Sequence, residues 1–151
     1  MPDPVLVRPA LSNDVARVAH LSETLGYPTR TADLAPRLAR LLASPYDTVL
    51  VAEQAGLVVA WIHGAQQELL ETGLRCEILG LVVDPSCRRA GIGRRLLAAV
   101  ESWAEGRGLP EVSVRSGTAR VEAHPFYQRS GYARIKAQHV YRKPLPVPPG
   151  N

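Results

Sequence analysis

The sequence predicts a single domain over residues 1–151, of the α/β class in the broad sense and α+β in detail. Three observations predict this class. Short β-branched runs alternate at period two, the segments between them repeat apolar residues at helical spacing, and one strand opens through a glycine-rich loop into a helix. The predicted order of elements is β-α-α-β-β-β-α-β-α-β-β, without an internal repeat.

The first half of the chain predicts one strand, two helices and a hairpin. Ser12 and Asn13 are capping residues that begin the first helix, and Gly26-Tyr27-Pro28 ends it. Ser44-Pro45 ends the second helix, and the turn Gln54-Ala55-Gly56 joins two β-branched runs into a hairpin. In order, these elements are a strand at 5–9, helices at 12–25 and 31–43, and strands at 48–53 and 57–62.

The second half predicts two strand–helix pairs and two closing strands. Asp84-Pro85 ends the central strand, Gly106 ends the long helix that follows, and Gly131 caps the short last helix. The proline-rich tail at 144–151 is expected to fray. After a loop at 67–74, the elements in order are a strand at 75–83, a helix at 91–106, a strand at 111–115, a helix at 121–130, and strands at 132–136 and 139–143.

The composition excludes several classes of protein. Hydrophobic residues make up 46% of the chain and charged residues 21%, as in an ordinary globular domain. No apolar run approaches the roughly 18 residues of a membrane-spanning helix, and the N-terminus lacks the pattern of a signal peptide. Cys76 and Cys87 flank one extended strand, too far apart for a disulfide. We therefore expect a cytoplasmic protein with no membrane partner.

The stretch from Asp84 to Gly93 has the composition of an anion site. Gly91 and Gly93 allow the backbone to approach a ligand closely, and the first amides of the following helix have no internal partner. The net charge is +4, and basic residues cluster only at 88–95, where four arginines lie. A compact cluster suits a small polyanion better than nucleic acid. The loop matches a dinucleotide-binding motif less well, because that motif would need a third glycine at position 96, where this chain has Leu96.

Two motifs carry a resemblance to a known family. The run Arg88-Arg89-Ala90-Gly91-Ile92-Gly93 matches Gln/Arg-x-x-Gly-x-Gly/Ala, and Phe126-Tyr127 is followed, after three residues, by Gly131-Tyr132. With the order of elements, they make the chain resemble the GNAT superfamily of N-acetyltransferases over about residues 5–145. The resemblance implies a GNAT-type mixed, mostly antiparallel sheet of six to seven strands with helices on both faces.

The resemblance implies that acetyl-CoA is the cosubstrate and that no metal takes part. The pantetheine arm is expected to bond to the backbone of the central strand, and the diphosphate to the loop amides. Arg120 stands where the family often has asparagine, and could still reach a phosphate. The implied cofactor-binding residues are Leu81, Val82, Val83, Arg88, Arg89, Ala90, Gly91, Ile92, Gly93, Arg94, Arg120 and Tyr127.

Two residues are expected to be catalytic. Tyr127 matches the tyrosine that many members of the family use as a general acid toward the CoA thiolate, although its hydroxyl could instead only orient the sulfur. Glu77 is the best candidate for the base that deprotonates an ammonium. Alternation places it on the same strand face as Leu79 and Leu81. The alternatives are a salt bridge of Glu77 with Arg75 and a base made of a water chain.

The expected activity is acetyl-CoA-dependent N-acetylation, in which the acetyl group moves directly to a primary amine within a ternary complex. The expected partners are acetyl-CoA and an amine, either a small molecule or a peptide, and the resemblance allows a homodimer. The alternative is a non-catalytic acyl-CoA-binding or regulatory domain on the same fold. The acceptor amine is not identified by the sequence.

Overall fold

The computed structural model describes residues 3–24, 26–88, 90–115 and 123–148. They fall into two compact units, residues 1–115 and 116–151. The first unit contains one five-stranded sheet, in which neighbours in sequence are neighbours in space. Its strands are β1 (Val5–Pro9), β2 (Asp47–Gln54), β3 (Leu57–Leu69), β4 (Gly73–Val83) and β5 (Val112–Val114).

The sheet is mixed and mostly antiparallel, as predicted. The pairs β1–β2, β2–β3 and β3–β4 are antiparallel, and β4–β5 is parallel. A parallel pair needs a crossover connection, and a long helix between β4 and β5 supplies it. The predicted loop at 67–74 was wrong, because β3 and β4 continue their ladder to the pair Leu69–Gly73. Gly73 has a φ of 77°, which lets the chain reverse within three residues.

Helices cover both faces of the sheet. The described helices are α1 (Val15–Glu23), α2 (Thr31–Ala43), α3 (Ile92–Gly106) and α4 (Ala123–Arg129), with short 3₁₀ turns at Ser12–Asp14 and Pro85–Cys87. Val18, Leu21 and Leu38 of α1 and α2 join Val51 and Val82 of the sheet in one apolar core, and Trp61 packs against it.

The long helix α3 packs on the opposite face. Trp61 and Gly64 are three residues apart on β3 and therefore point to opposite faces. A Cβ built on Gly64 would lie 2.8 Å from Cγ1 of Val100, so α3 approaches the backbone of β3 closely. Ile92, Leu96 and Val100 present the apolar side of α3 and are at most 1% exposed. No helix within the described ranges is long and apolar enough to cross a membrane.

The two predicted closing strands are not strands. Among the described residues the sheet has five strands instead of six to seven, and the backbone from 132 to 148 has no regular secondary structure. Ile135, Val140 and Tyr141 are more than four-fifths exposed. Alternation predicts a strand only when a neighbouring strand and a buried face are available, and a local pattern cannot guarantee either. The second unit contributes α4 to the described structure.

Candidate active site

A register shift in β4 sets the orientation of the candidate base. His63 pairs with Gly80 and Gly64 pairs with Ile78, which leaves Leu79 as an extra residue in β4. Such a β-bulge changes the phase of the side chains by one position. Glu77 therefore lies opposite Ala65, on the face covered by α1 and α2. The prediction that Glu77 shares a face with Leu79 and Leu81 was wrong, because strict alternation does not continue through a bulge.

One edge of β4 is open beyond the bulge. The parallel ladder to β5 joins only residues 76–78 of β4 to Val112–Val114. On its other edge, β4 remains paired with β3 as far as Val83. The backbone groups of residues 79–83 that face away from β3 therefore have no strand partner within the described part of the chain. This open edge includes Leu81, Val82 and Val83, the residues predicted to guide the pantetheine arm.

The chain leaves β4 through a short structured turn. The Asp84 carboxylate accepts hydrogen bonds from the Ser86 hydroxyl at 2.7 Å and the Ser86 amide at 2.9 Å. These bonds lower the pKa of Asp84, and the Arg17 guanidinium at 3.7 Å contributes less. Arg17 also donates from Nε to the Val58 carbonyl at 3.0 Å, which attaches the turn to α1 and β3. These contacts fix the direction in which the chain leaves β4.

The N-terminus of α3 has the geometry of an anion site. Gly91 caps the helix with a φ of 77° and a ψ of 9°, a left-handed conformation that side chains disfavour. The first helical bond runs from the Arg95 amide to the Gly91 carbonyl at 3.1 Å, so the amides of residues 92–94 precede the helical ladder. The first turn contains no acidic residue, and no described side chain caps it.

The structure describes three of the four arginines that the sequence predicts to cluster at 88–95. Arg95 donates from Nη1 to the Val5 carbonyl at 2.8 Å and therefore joins α3 to β1. Arg88 and Ala90 are exposed on the loop, and Arg94 is exposed on the first turn of α3. The remaining predicted residues, Arg89 and Arg120, lie outside the described residues.

Glu77 is a buried carboxylate between two arginines. It is 4% exposed, although it is charged. Its Oε1 lies 3.0 Å from Nε of Arg115, and its Oε2 lies 3.9 Å from Nη2 of Arg75. The sequence indicated Arg75 as the partner, but Arg115 is closer. Arg115 was missed because the parallel pairing of Glu77 with Ser113 brings together strands separated by a whole helix.

Tyr127 lies in the second unit, on α4. Its ring packs edge-to-face against Phe126, with centroids 5.2 Å apart, and against Tyr132, with centroids 6.1 Å apart. The Tyr132 amide donates to the Tyr127 carbonyl at 3.0 Å, and Gly131 ends the helix with a φ of 92°. The predicted motif thus forms a compact aromatic cluster around Tyr127.

Comparisons with known proteins agree on one family. A model of the acetyltransferase (GNAT) family matches residues 15–132. The chain is 33% identical over 66 residues to an aminoglycoside N(6')-acetyltransferase type 1 of Stenotrophomonas maltophilia, a match that covers 44% of this chain and 43% of that relative. The matched segment thus spans less than half of that protein's length.

Two further similarities cover most of the chain. An IAA acetyltransferase of Azospirillum brasilense is 30% identical over 138 residues, which cover 88% of this chain and 86% of that protein. A solved structure of an aminoglycoside N-acetyltransferase in complex with CoA superposes with a TM-score of 0.86 at 17% identity, covering 95% of this chain and 97% of the other. At that identity the superposition shows a shared fold.

Proposed function

The chain belongs to the acetyltransferase (GNAT) family, and we propose that it transfers an acetyl group from acetyl-CoA directly to a primary amine within a ternary complex. One observation carries the proposal. The open edge of β4 at residues 79–83 is followed by the Asp84 turn and then by the N-terminus of α3, where no described side chain caps the first amides. Backbone donors and acceptors along this line suit a ligand that is an amide-containing arm at one end and a diphosphate at the other.

The proposed roles of the cofactor-binding residues follow from their chemistry. The amides of the loop and of the first turn of α3 bind the diphosphate, because the helix dipole and the absence of acidic side chains there favour an anion. Arg88 and Arg94 add positive charge at the same end. The backbone of residues 81–83 bonds to the pantetheine amides. The solved relative with bound CoA supports this assignment at the level of the fold.

The proposed chemistry assigns one proton transfer to each catalytic residue. Glu77 removes a proton from the substrate ammonium and releases it to solvent, which leaves a neutral amine. The amine nitrogen attacks the thioester carbonyl, a C–N bond forms, and the C–S bond breaks. Tyr127 gives its hydroxyl proton to the departing sulfur, and the second proton lost by the nitrogen restores the tyrosine. A chain of waters on backbone carbonyls is the alternative base.

The rival function is a non-catalytic acyl-CoA-binding or regulatory domain. It would use the same open edge and loop, so binding of CoA alone does not separate the two. The two functions differ in Glu77, because the transfer reaction uses its carboxylate as a base whereas a binding domain gives it only the ion pairs with Arg115 and Arg75.

The test combines a binding and a turnover measurement. Calorimetric titration with CoA should give one site per chain. Release of CoA thiol from acetyl-CoA should then be followed with a panel of amines that includes aminoglycosides, because one relative carries that name. Intersecting lines in initial-velocity plots support a ternary complex, and parallel lines refute it. Binding of CoA with no turnover for any amine would leave the rival function standing.

A further inference from the structure

Four polar side chains form a patch on one face of the sheet, at the place where β4 and β5 separate. Glu77 pairs with Ser113 in the parallel ladder. Arg75 precedes Glu77 by two residues and Arg115 follows Ser113 by two, so all four side chains point to the same face. We call Arg75, Glu77, Ser113 and Arg115 the β4–β5 polar patch.

The patch contains more donors than acceptors. Glu77 is its one carboxylate, and it faces the guanidinium groups of both Arg75 and Arg115. Arg75 Nε and Ser113 Oγ are buried and, among the described residues, have no hydrogen-bond partner. Trp61 Nε1, on the same face of the sheet, is also buried and has no hydrogen-bond partner among the described residues. Buried donors without partners cost free energy, and native sites that keep them commonly hold a ligand or water there.

The other acidic residues that could attract a polycation lie away from the place where β4 and β5 separate. Glu68 lies four residues after Gly64 on β3 and therefore points to the same face as Gly64, the face on which α3 packs. Glu71 is exposed in the turn between β3 and β4. Glu111 precedes Ser113 by two residues and therefore points to the face of the patch, but it is exposed and lies at the opposite end of β5 from Arg115. At the end of β5 where the strands separate, the Arg115 guanidinium therefore faces one carboxylate, that of Glu77.

We propose that the acceptor amine carries a carboxylate, which the β4–β5 polar patch binds through Arg115, Arg75 and Ser113. The proposal rests on the proposed function, in which Glu77 is the base and the acceptor amine therefore lies beside it. The Arg115 side chain is 68% exposed and pairs with Glu77 through Nε. A guanidinium carries five donors in a planar fork that matches a carboxylate. Arg115 can thus hold the substrate carboxylate beside Glu77, the proposed base.

The test is a set of matched amines of equal length. At each of three chain lengths, an ω-amino carboxylate is compared with the neutral alkylamine and the diamine, for example 4-aminobutanoate, butylamine and 1,4-diaminobutane. We expect kcat/KM of the best amino carboxylate to exceed that of its neutral partner by about tenfold, mainly through KM. The diamine should be the poorest, because like charges face each other.

Variants at Arg115 separate carboxylate binding from an effect on Glu77. A change in the base alters all amines alike, whereas loss of the carboxylate site alters the ratio between matched amines. Arg115→Gln should reduce that ratio to about one, and R115E should reverse it in favour of the diamine. Arg40→Gln, an exposed arginine of α2, is the control that should leave the ratio unchanged.

The possible results separate the two proposals. Turnover of butylamine or the diamine with no preference for the carboxylate, or a preference that survives in Arg115→Gln, overturns the carboxylate site and leaves the acetyltransferase intact. CoA binding without turnover of any amine overturns the proposed function, and the carboxylate site with it.

Discussion

Oε1 of Glu77 lies 3.0 Å from Nε of Arg115, across the only parallel pair of strands in the described sheet. The carboxylate is buried, whereas the arginine side chain is mostly exposed. A buried charge needs a partner, and here the partner comes from a residue that directly follows β5. The pair thus joins the candidate base to the end of the strand that separates from β4.

Replacement of Glu77 by Gln should lower kcat by about 10²- to 10⁴-fold, the usual contribution of a general base, while CoA affinity is unchanged. Steady-state kinetics and calorimetry with CoA measure both quantities. Glu105→Gln, on the exposed side of α3, is the control. A variant with near-normal kcat would assign deprotonation to the water chain.

Replacement of Gly91 by Asp should weaken CoA binding by at least about tenfold, because it puts negative charge at the helix N-terminus. Gly91→Ala adds only the left-handed strain, about 1 kcal/mol, since a Cβ there meets nothing within 4 Å. Gly108→Asp has comparable strain, with a φ of 71° and the same open space, at the other end of α3. Calorimetry should show normal CoA affinity for Gly108→Asp, and equal affinities in both Asp variants would refute the diphosphate site.

Replacement of Gly80 by Ala should destabilise the fold by about 1–3 kcal/mol through overpacking. The new Cβ would lie 2.6 Å from Cη2 and 2.7 Å from Cζ3 of Trp61, whose side chain packs against the apolar core. Trp61→Phe removes those atoms. In urea unfolding, Gly80→Ala should therefore cost less in the Trp61→Phe background than in the wild type. Additive effects would mean that the two residues do not interact.

Replacement of Asp14 by Asn should destabilise the protein at neutral pH by about 1–3 kcal/mol. Asp14 accepts bonds from Arg8 Nη1 at 2.8 Å, Arg8 Nη2 at 3.0 Å and the Leu11 amide at 2.8 Å. The Arg8 hydrogen bonds, more than the Leu11 bond, lower the pKa of Asp14 below its ordinary 3.8.

Because this pKa is lower in the folded state, the contribution of Asp14 to stability is complete above its ordinary value and is lost as pH falls through the folded value. Urea unfolding at several pH values should show the gap between wild type and Asp14→Asn closing as the pH falls below the ordinary pKa of 3.8. A gap that stays constant in acid would show that the ion pair is not its origin.

The element order as far as α4 and the glycine loop were predictable because their signals are local. Capping residues, glycines and apolar periodicity act within a few residues of one another, so the strand, the glycine loop and α3 could be read directly. The predictions failed where the outcome depends on a partner strand. Residues 67–74 were predicted to be a loop, although residues 67–69 pair with β4. Residues 132–136 and 139–143 were predicted to be strands from their alternation, but the described backbone there has no strand.

The candidate site also combines residues that could be predicted from the sequence with features that could not. The motif around Gly91 and the pair Phe126-Tyr127 were visible in the sequence, and the resemblance to the family indicated Glu77 as a candidate base. The face on which Glu77 lies was not visible, because the extra residue Leu79 leaves no mark in the pattern. Arg115 was also missed, since the partner of a residue in a parallel pair is set by a helical crossover and not by spacing.

By itself, the sequence determined the family, the order of the elements as far as α4 and the loop at the N-terminus of α3, since each depends on short-range backbone chemistry. Only the tertiary structure decided the charge around Glu77. The bulge at Leu79 turns the carboxylate toward α1 and α2, and the pairing of β4 with β5 brings Arg115 to it. Strand register is a long-range property, because it depends on which backbone groups of distant segments find each other.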